Sequence, residues 1–283
     1  MGKPAWSDRI KFMAVRVLPK HLLSRLAGTF ARSSFSRVFI PLYIKAFQID
    51  LTQIEKKPHE YQSLTEFFTR RLLPDVRPID PHAHSIVSPV DGTVAQFGVI
   101  RDGKLIQAKG VTYTVAELLA DVQKQNVYEG GWFITIYLSP TDYHRIHMPV
   151  AGTPSMYTYV PGSLYPVNPL GVKYVPGLFA KNERIITYFK GPYGEFALVK
   201  VGATIVGSVV VEYGNARTNV KRGQLIHCEL PSAVEYGKGQ ECGRFEFGST
   251  VILLFPRGVL VPEPGLFSGQ TLRMGQRIGE LVR

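Results

Sequence analysis

Through the first quarter of the chain the hydrophobic positions keep a helical period; after that they alternate or run together as strands do. Ile10, Met13, Ala14, Val17 and Leu18 follow the i, i+3, i+4, i+7, i+8 spacing of one helix face, with Arg9, Lys11, Arg16 and Lys20 at other positions. Past Pro19, a second apolar set (Leu22, Leu23, Leu26, Ala27, Phe30) contains Gly28 and ends at Ser33-Ser34. A third set, Phe35, Val38, Phe39, Leu42, Tyr43, Ala46 and Phe47, is also helical in spacing, and Pro41 must start or kink it. Ser63-Leu-Thr-Glu66 is a capping box for a short helix through Phe67, Phe68 and Leu72 that stops before Pro74. Pro74, Pro78 and Pro81 mark a connector, which divides the chain into an amphipathic helical segment, 1–73, and a β-rich domain, 74–283. In the second part Thr114-Val-Ala-Glu117 is another capping box, and strands are expected over 131–138, 185–189, 197–201, 204–213, 223–229, 244–255 and 279–282. The fold class expected is α+β: an antiparallel β-sandwich or barrel-like core preceded by amphipathic helices.

Composition supports this. Gly and Pro together number 47 in 283 residues, with many short Val/Ile/Phe/Tyr runs, as in a β-rich fold with frequent turns. Cys228 and Cys242 are the two cysteines, too few for a disulfide scaffold or a cysteine zinc site, and both are read as reduced, which fits a cytosolic face. No uncharged window approaches the roughly 18 apolar residues of a spanning helix, and no signal-peptide pattern opens the chain. The net charge of +11 is uneven: residues 1–57 hold 11 Lys/Arg against Asp8, Asp50 and Glu55, an excess of eight. A basic excess spread over a whole domain suggests nucleic acid. Confined to amphipathic helices, it suggests the anionic surface of a membrane, a peripheral attachment. The alternative is that the helices pack on a core of their own.

Within the last expected strand, Phe245 and Phe247 alternate and Val251–Phe255 reads as fully buried, but Gly248-Ser249-Thr250 interrupts the run. A glycine in a strand marks a bulge or a close backbone approach. Gly207-Ser208 is a similar pair, so the dipeptide alone identifies nothing. Asp91-Gly92 is by itself an ordinary turn dipeptide. His144 and His147 form H-x-x-H, but the zincin glutamate and any further ligand cluster are missing, so no metal site is expected.

Three stretches together are more specific. Lys238-Gly-Gln-Glu-Cys-Gly-Arg-Phe-Glu-Phe-Gly-Ser-Thr-Val-Ile252 resembles the processing site of phosphatidylserine decarboxylase proenzymes. Ser88-Pro-Val-Asp91-Gly92 and Tyr137-Leu-Ser-Pro-Thr-Asp-Tyr-His144-Arg-Ile-His147-Met-Pro149 resemble motifs of the same family, and the three stand in the family's order over nearly the whole chain. One departure is Phe247 where the family has Leu before Gly-Ser-Thr. The resemblance implies self-cleavage between Gly248 and Ser249, conversion of Ser249 into a covalent pyruvoyl cofactor, and decarboxylation of phosphatidylserine to phosphatidylethanolamine. It implies an Asp91–His147–Ser249 triad for the cleavage, a role for His144 in decarboxylation, and a homodimer of processed two-chain protomers. The chemistry is demanding, because a hydroxyl must attack the carbonyl of the preceding residue; holding it over that carbon can supply roughly 7–11 kcal/mol of the barrier. A base must take the serine proton, and a neutral histidine suits that task.

A weaker two-part likeness adds a hint about the fold. Ser88–Val94 resembles the first strand and turn of lipoyl or biotinyl carrier domains, and Met274–Leu281 their closing strand, but the modified lysine is missing. The hint is a flattened β-sandwich with its ends paired. Two other readings stand beside the decarboxylase: a pyruvoyl decarboxylase of a soluble amino acid, for which a basic amphipathic N-terminus has no use, and a non-enzymatic lipid-binding protein in which Ser249 is a bulge residue.

Overall fold

The computed structural model describes residues 20–282 except 109–110, 192–193, 205–207, 215, 220–222, 232–233 and 247. The first helical pattern, at Ile10–Leu18, therefore lies outside the described residues. The second pattern forms helix α1 (Lys20–Arg32). The third forms a 3-10 turn (Ser34–Phe39) running into α2 (Ile40–Phe47), where Pro41 stands in the first turn and so starts the helix rather than kinking it. The residues α1 buries are Ser24, Gly28 and Ala31, while Leu22, Leu26 and Phe30 are about half exposed. Its small face is turned to the protein and its apolar face to the outside. Phe35, Val38 and Leu42 continue that exposed apolar surface.

Below these helices Ile40, Ile49, Ile54, Tyr61 and Phe67 form a small core of their own. Ser63 caps α3 (Leu64–Phe68) by accepting from the Glu66 N–H at 3.1 Å. The segment is tied to the rest of the protein by several polar contacts. Tyr43 donates to the Pro140 carbonyl at 2.6 Å, His21 Nε2 bonds the Gly162 carbonyl at 2.8 Å, and Arg32 pairs with Glu246 at 3.2 Å.

The remaining chain is mostly antiparallel strand. In order these are β1 (Ser85–Val87), β2 (Gly92–Val99), β3 (Lys104–Ala108), β4 (Val111–Thr114), β5 (Trp132–Leu138), β6 (Arg145–His147), β7 (Thr153–Val160) and β8 (Arg184–Gly191). They continue with β9 (Gly194–Val201), β10 (Val209–Val211), β11 (Ile226–Glu229), β12 (Glu241–Phe245), β13 (Ser249–Phe255), β14 (Leu260–Pro262), β15 (Thr271–Leu272) and β16 (Arg277–Leu281). Eight of them make one large sheet in the order β11-β7-β8-β9-β13-β5-β2-β15. Two three-stranded sheets, β1-β16-β14 and β10-β12-β6, contribute to the core on one of its faces. Strand β1 pairs with β16, so the two ends of the β domain are joined. The opposite face is covered by the β3–β4 hairpin and by short helices, among them α4 (Val115–Leu119), which has both halves of the expected Thr114–Glu117 capping box.

This layering explains why Val251–Phe255 has no polar alternation. Val251, Leu253 and Phe255 belong to the core between the sheets, and Ile252 and Leu254 to the core under the helices. A central strand buried on both faces reads as a continuous apolar run. One expectation is corrected here. The stretch 244–255 is not one strand: β12 ends at Phe245 in a small sheet, and β13 starts at Ser249 in the large one. The layers change between the end of β12 at Phe245 and the start of β13 at Ser249, and Gly248 takes φ +35°, a left-handed conformation that glycine adopts without a Cβ penalty.

Candidate active site

The sheet register brings the candidate residues to one end of the sandwich. Ser249, first residue of β13, stands opposite Leu138, the last of β5, while Tyr137 stands opposite Thr93 at the start of β2. Neighbouring strands lie about 4.8 Å apart, so Asp91-Gly92 and Ser249 are two strand spacings from each other across this edge. Gly92 has to be a glycine, since a Cβ there would sit 2.5 Å from the Tyr137 carbonyl oxygen. The loop after β5, Ser139–His144, turns back over the same end. It is fixed by Asp142, whose carboxylate accepts from the Ser139 N–H at 2.6 Å and its hydroxyl at 2.8 Å.

Each expected residue can be placed. Ser249 is fully buried, and its hydroxyl has no hydrogen-bond partner. By alternation with Val251 it points into the core between the sheets. His144 is also fully buried: its Nδ1 donates to the Asp142 carbonyl at 2.8 Å, and its ring packs 4.1 Å from that of Phe68. With the proton on Nδ1, Nε2 carries a lone pair that meets no donor. Burial pushes the His144 pKa down to about 3, with the nearby Arg70 charge acting in the same direction. His147 is held in the same tautomer, Nδ1 donating to the Gly239 carbonyl at 2.8 Å and Nε2 3.2 Å from the Tyr143 hydroxyl. Burial lowers its pKa too, and the Glu241 and Asp91 charges act to raise it. Both imidazoles are therefore neutral, and each presents Nε2 as an acceptor.

Asp91 is engaged elsewhere. Its carboxylate accepts from Arg77 Nε at 2.9 and 3.0 Å, from Arg77 Nη2 at 2.6 Å, and from the Met274 N–H at 2.8 Å. No hydrogen bond joins Asp91, His147 and Ser249 to one another among the described residues. The backbone carbonyl of Gly239 occupies the Nδ1 position expected for the carboxylate, and Asp91 acts on His147 through space. Sequence reasoning did not find Arg77, Tyr143 or Gly239, whose links to the site span 14, 4 and 92 positions in the chain. Tyr143, inside the histidine motif, and Gly239, inside the stretch that begins at Lys238, left a local signal; Arg77 left none.

Glu246, three residues before Ser249, is the second anchor of the crossing. It is buried and paired with both Arg217 and Arg32, and its N–H donates to the Ser208 carbonyl at 2.8 Å. Glu246 is thus held by charge, and Ser249 by a central strand. A buried hydroxyl with no partner follows a glycine with left-handed backbone. This geometry suits attack of Ser249 Oγ on the preceding carbonyl and would accommodate the pyruvoyl group that such a cleavage leaves at that position.

A sequence profile of the phosphatidylserine decarboxylase family matches residues 64–280. A phosphatidylserine decarboxylase proenzyme of Brevibacillus brevis is 53% identical over 263 residues, covering 92% of this chain and 94% of its own. Proenzymes of the same name from a Shewanella species and from Shewanella baltica are 44% and 43% identical, and each alignment covers 97% of this chain and 97–98% of the relative's own.

Proposed function

Because the chain belongs to the phosphatidylserine decarboxylase family, we propose that it is synthesised as a proenzyme, cuts itself between Gly248 and Ser249, and then decarboxylates phosphatidylserine to phosphatidylethanolamine at a membrane surface. The observation that carries the reading is the Ser249 hydroxyl, fully buried without a partner directly after Gly248 at φ +35°. A buried hydroxyl left unbonded costs about 1–3 kcal/mol, and retaining one at a strand start is explained if it must be free to attack.

The roles divide by chemistry. His147 accepts the Ser249 proton on Nε2 once the Tyr143 hydroxyl turns away; the Gly239 carbonyl holds the ring in the required tautomer, and Asp91 supports the developing imidazolium charge through space. Arg32 and Arg217 hold Glu246 and so fix the strand entering the scissile bond. The pyruvoyl group left at position 249 supplies an electron sink for the substrate amine. His144, whose Nε2 has no partner in the uncut chain, is assigned to the decarboxylation step, where the carbon that loses carbon dioxide must gain a proton.

The membrane part of the proposal rests on the apolar surface of 20–47, where Leu22 is 54%, Leu26 59%, Phe35 82% and Leu42 62% exposed. Such a surface suits a lipid substrate and has no use for a soluble amino acid. No helix among the described residues is long and apolar enough to cross a membrane.

Denaturing electrophoresis with carbon dioxide release on the same preparations tests the proposal. Wild type should run as chains 1–248 and 249–283, the second blocked at its N-terminus by a ketone, while Ser249→Ala stays whole and inactive. His147→Ala and Asp91→Ala should remain largely uncut, whereas His144→Ala should mature and turn over very slowly. An uncut wild-type chain with an ordinary serine refutes the cleavage. Failure of His144→Ala to cut while His147→Ala matures reverses the two roles.

A further inference from the structure

Arg70 and Arg184 are the arginines almost wholly buried among the described residues, and they differ in one respect. Arg184 is satisfied throughout: its nitrogens donate to the carbonyls of Leu118, Ala180, Asn182 and Glu117 at 2.5–2.9 Å. Arg70 is 5% exposed and poorly served. Its Nε has no partner, Nη1 is 3.5 Å from the Phe68 carbonyl, and Nη2 is 3.0 and 3.4 Å from those of Thr141 and Asp142. No carboxylate lies within ion-pair distance of it among the described residues. A buried cation without a counter-ion is costly, and this one lines a cleft.

The cleft holds about 230 Å³ and is also lined by Asp50, Arg77, Asp91, Asp142 and Arg273. Its carboxylates already have partners: Asp91 has Arg77, Asp142 has Ser139, and Asp50 has Thr52 and Gln53. Arg273 is exposed at the rim, within electrostatic reach of Asp50 but with no side-chain hydrogen bond among the described residues. Asp142 and Asp50 keep their charges on neutral partners, and Arg70 and Arg273 are the two guanidinium groups of the cleft with no ion pair among the described residues. At one end the Asp142 carbonyl accepts from both Arg70 Nη2 and His144 Nδ1, so the guanidinium is one carbonyl away from that imidazole. At the other, Gln48 and Ile49 of the lining directly follow α2, whose Leu42 and Phe47 are exposed.

We propose that Arg70, joined at the rim by Arg273, binds the phosphodiester of the phospholipid substrate, an inference that rests on the decarboxylase reading above. In a phospholipid headgroup the phosphate stands between glycerol and amino acid, as Arg70 stands between the end of the cleft beside α2 and the Asp142 carbonyl that it shares with His144. The substrate carboxylate is the other candidate anion, and the reaction argues against it. Its charge disappears as carbon dioxide forms, so a guanidinium on it would stabilise the starting state over the transition state and slow the step. The phosphodiester keeps its charge throughout, and binding it equally in both states positions the amine without opposing the chemistry. The arginine fork also matches two phosphate oxygens at once.

The test uses processed Arg70→Gln, Arg70→Lys and Arg273→Gln enzymes with phosphatidylserine in uncharged micelles. Two competitors separate the anions: glycerophosphoethanolamine carries phosphate without a carboxylate, and L-serine a carboxylate without phosphate. For Arg70→Gln, KM and the inhibition constant of glycerophosphoethanolamine should rise about 10- to 100-fold, the effect of losing a charged hydrogen-bonded contact. The inhibition constant of serine should hold and kcat should change far less. Arg70→Lys should fall between, and Arg273→Gln, at the exposed rim, should lose up to about fivefold. If Arg70→Gln fails to mature, the other two variants give the same ratio of constants. An unchanged ratio, or a loss confined to serine, overturns the proposal. Wild type that releases no carbon dioxide from phosphatidylserine would instead refute the decarboxylase reading itself.

Discussion

Acidification should destabilise the uncut protein earlier than its carboxylates would, and His144 should carry much of the effect. In the unfolded chain a histidine titrates near 6.5; in the fold burial pushes His144 down to about 3. Between those values the unfolded state binds a proton that the folded state refuses, so the stability present above pH 6.5 is lost as pH falls. Each pH unit well below the unfolded pKa is worth about 1.4 kcal/mol, so going from pH 6.5, where the unfolded histidine is half protonated, to 5.0 costs about 1.6 kcal/mol through His144 alone. His147 acts in the same direction. Asp142 and Glu183, raised by burial, act in the opposite one. The clean quantity is therefore a difference between variants. Urea unfolding of the uncut Ser249→Ala chain at pH 6.5, 5.75 and 5.0 should be compared with the same chain carrying His144→Asn, which keeps an amide donor for the Asp142 carbonyl. The second slope should be shallower by about 1 kcal/mol per pH unit averaged over this window, and by less near pH 6.5, where the unfolded histidine is half protonated. Equal slopes would refute the argument that His144 is held neutral by burial. Burial also lowers the pKa of His147, the base assigned to cleavage, so self-cleavage of wild type should have its acid limb below pH 6.5.

Other expectations follow from single positions. Lys200 is fully buried between the sheets, donating to the Thr187 hydroxyl at 2.8 Å, and burial lowers its pKa to about 7. Stability should rise with pH from 7 towards 10.5 as the unfolded lysine gives up its proton, and thermal unfolding of Lys200→Met should show that rise abolished, with a gain of a few kcal/mol at pH 7. Gly92→Ala would force a Cβ to 2.5 Å from the Tyr137 oxygen, so it should cost about 2 kcal/mol or more in denaturant unfolding and slow cleavage by shifting Asp91. Phe35→Ser with Leu42→Ser, both on the exposed surface, should weaken sedimentation with anionic vesicles about 100-fold or more at roughly 1.5–3 kcal/mol per side chain, and leave self-cleavage intact; unchanged sedimentation would show that this face does not meet lipid.

By itself the sequence determined those features whose cause is local. Helix α2 carries Pro41 in its first turn because proline has no N–H to lose there, and α4 is capped by Thr114 and Glu117 because both partners lie within four residues. The run Val251–Phe255 announced a strand buried on both faces, and three motifs in order announced the family. Orientation and partnership were decided only by the tertiary structure. Helical spacing gave α1 two faces but could not say that Ser24, Gly28 and Ala31 would be buried and the leucines left outside, since that depends on what the helix docks against. The apolar continuity of 244–255 concealed a crossing between sheets, because a left-handed glycine has the same letter as an extended one. The partners within the site were hidden for the same reason. Asp91 meets Arg77 and the Met274 amide, and Arg70 lacks a counter-ion, because hydrogen bonds select atoms by distance in space, and 183 positions separate Asp91 from Met274 along the chain.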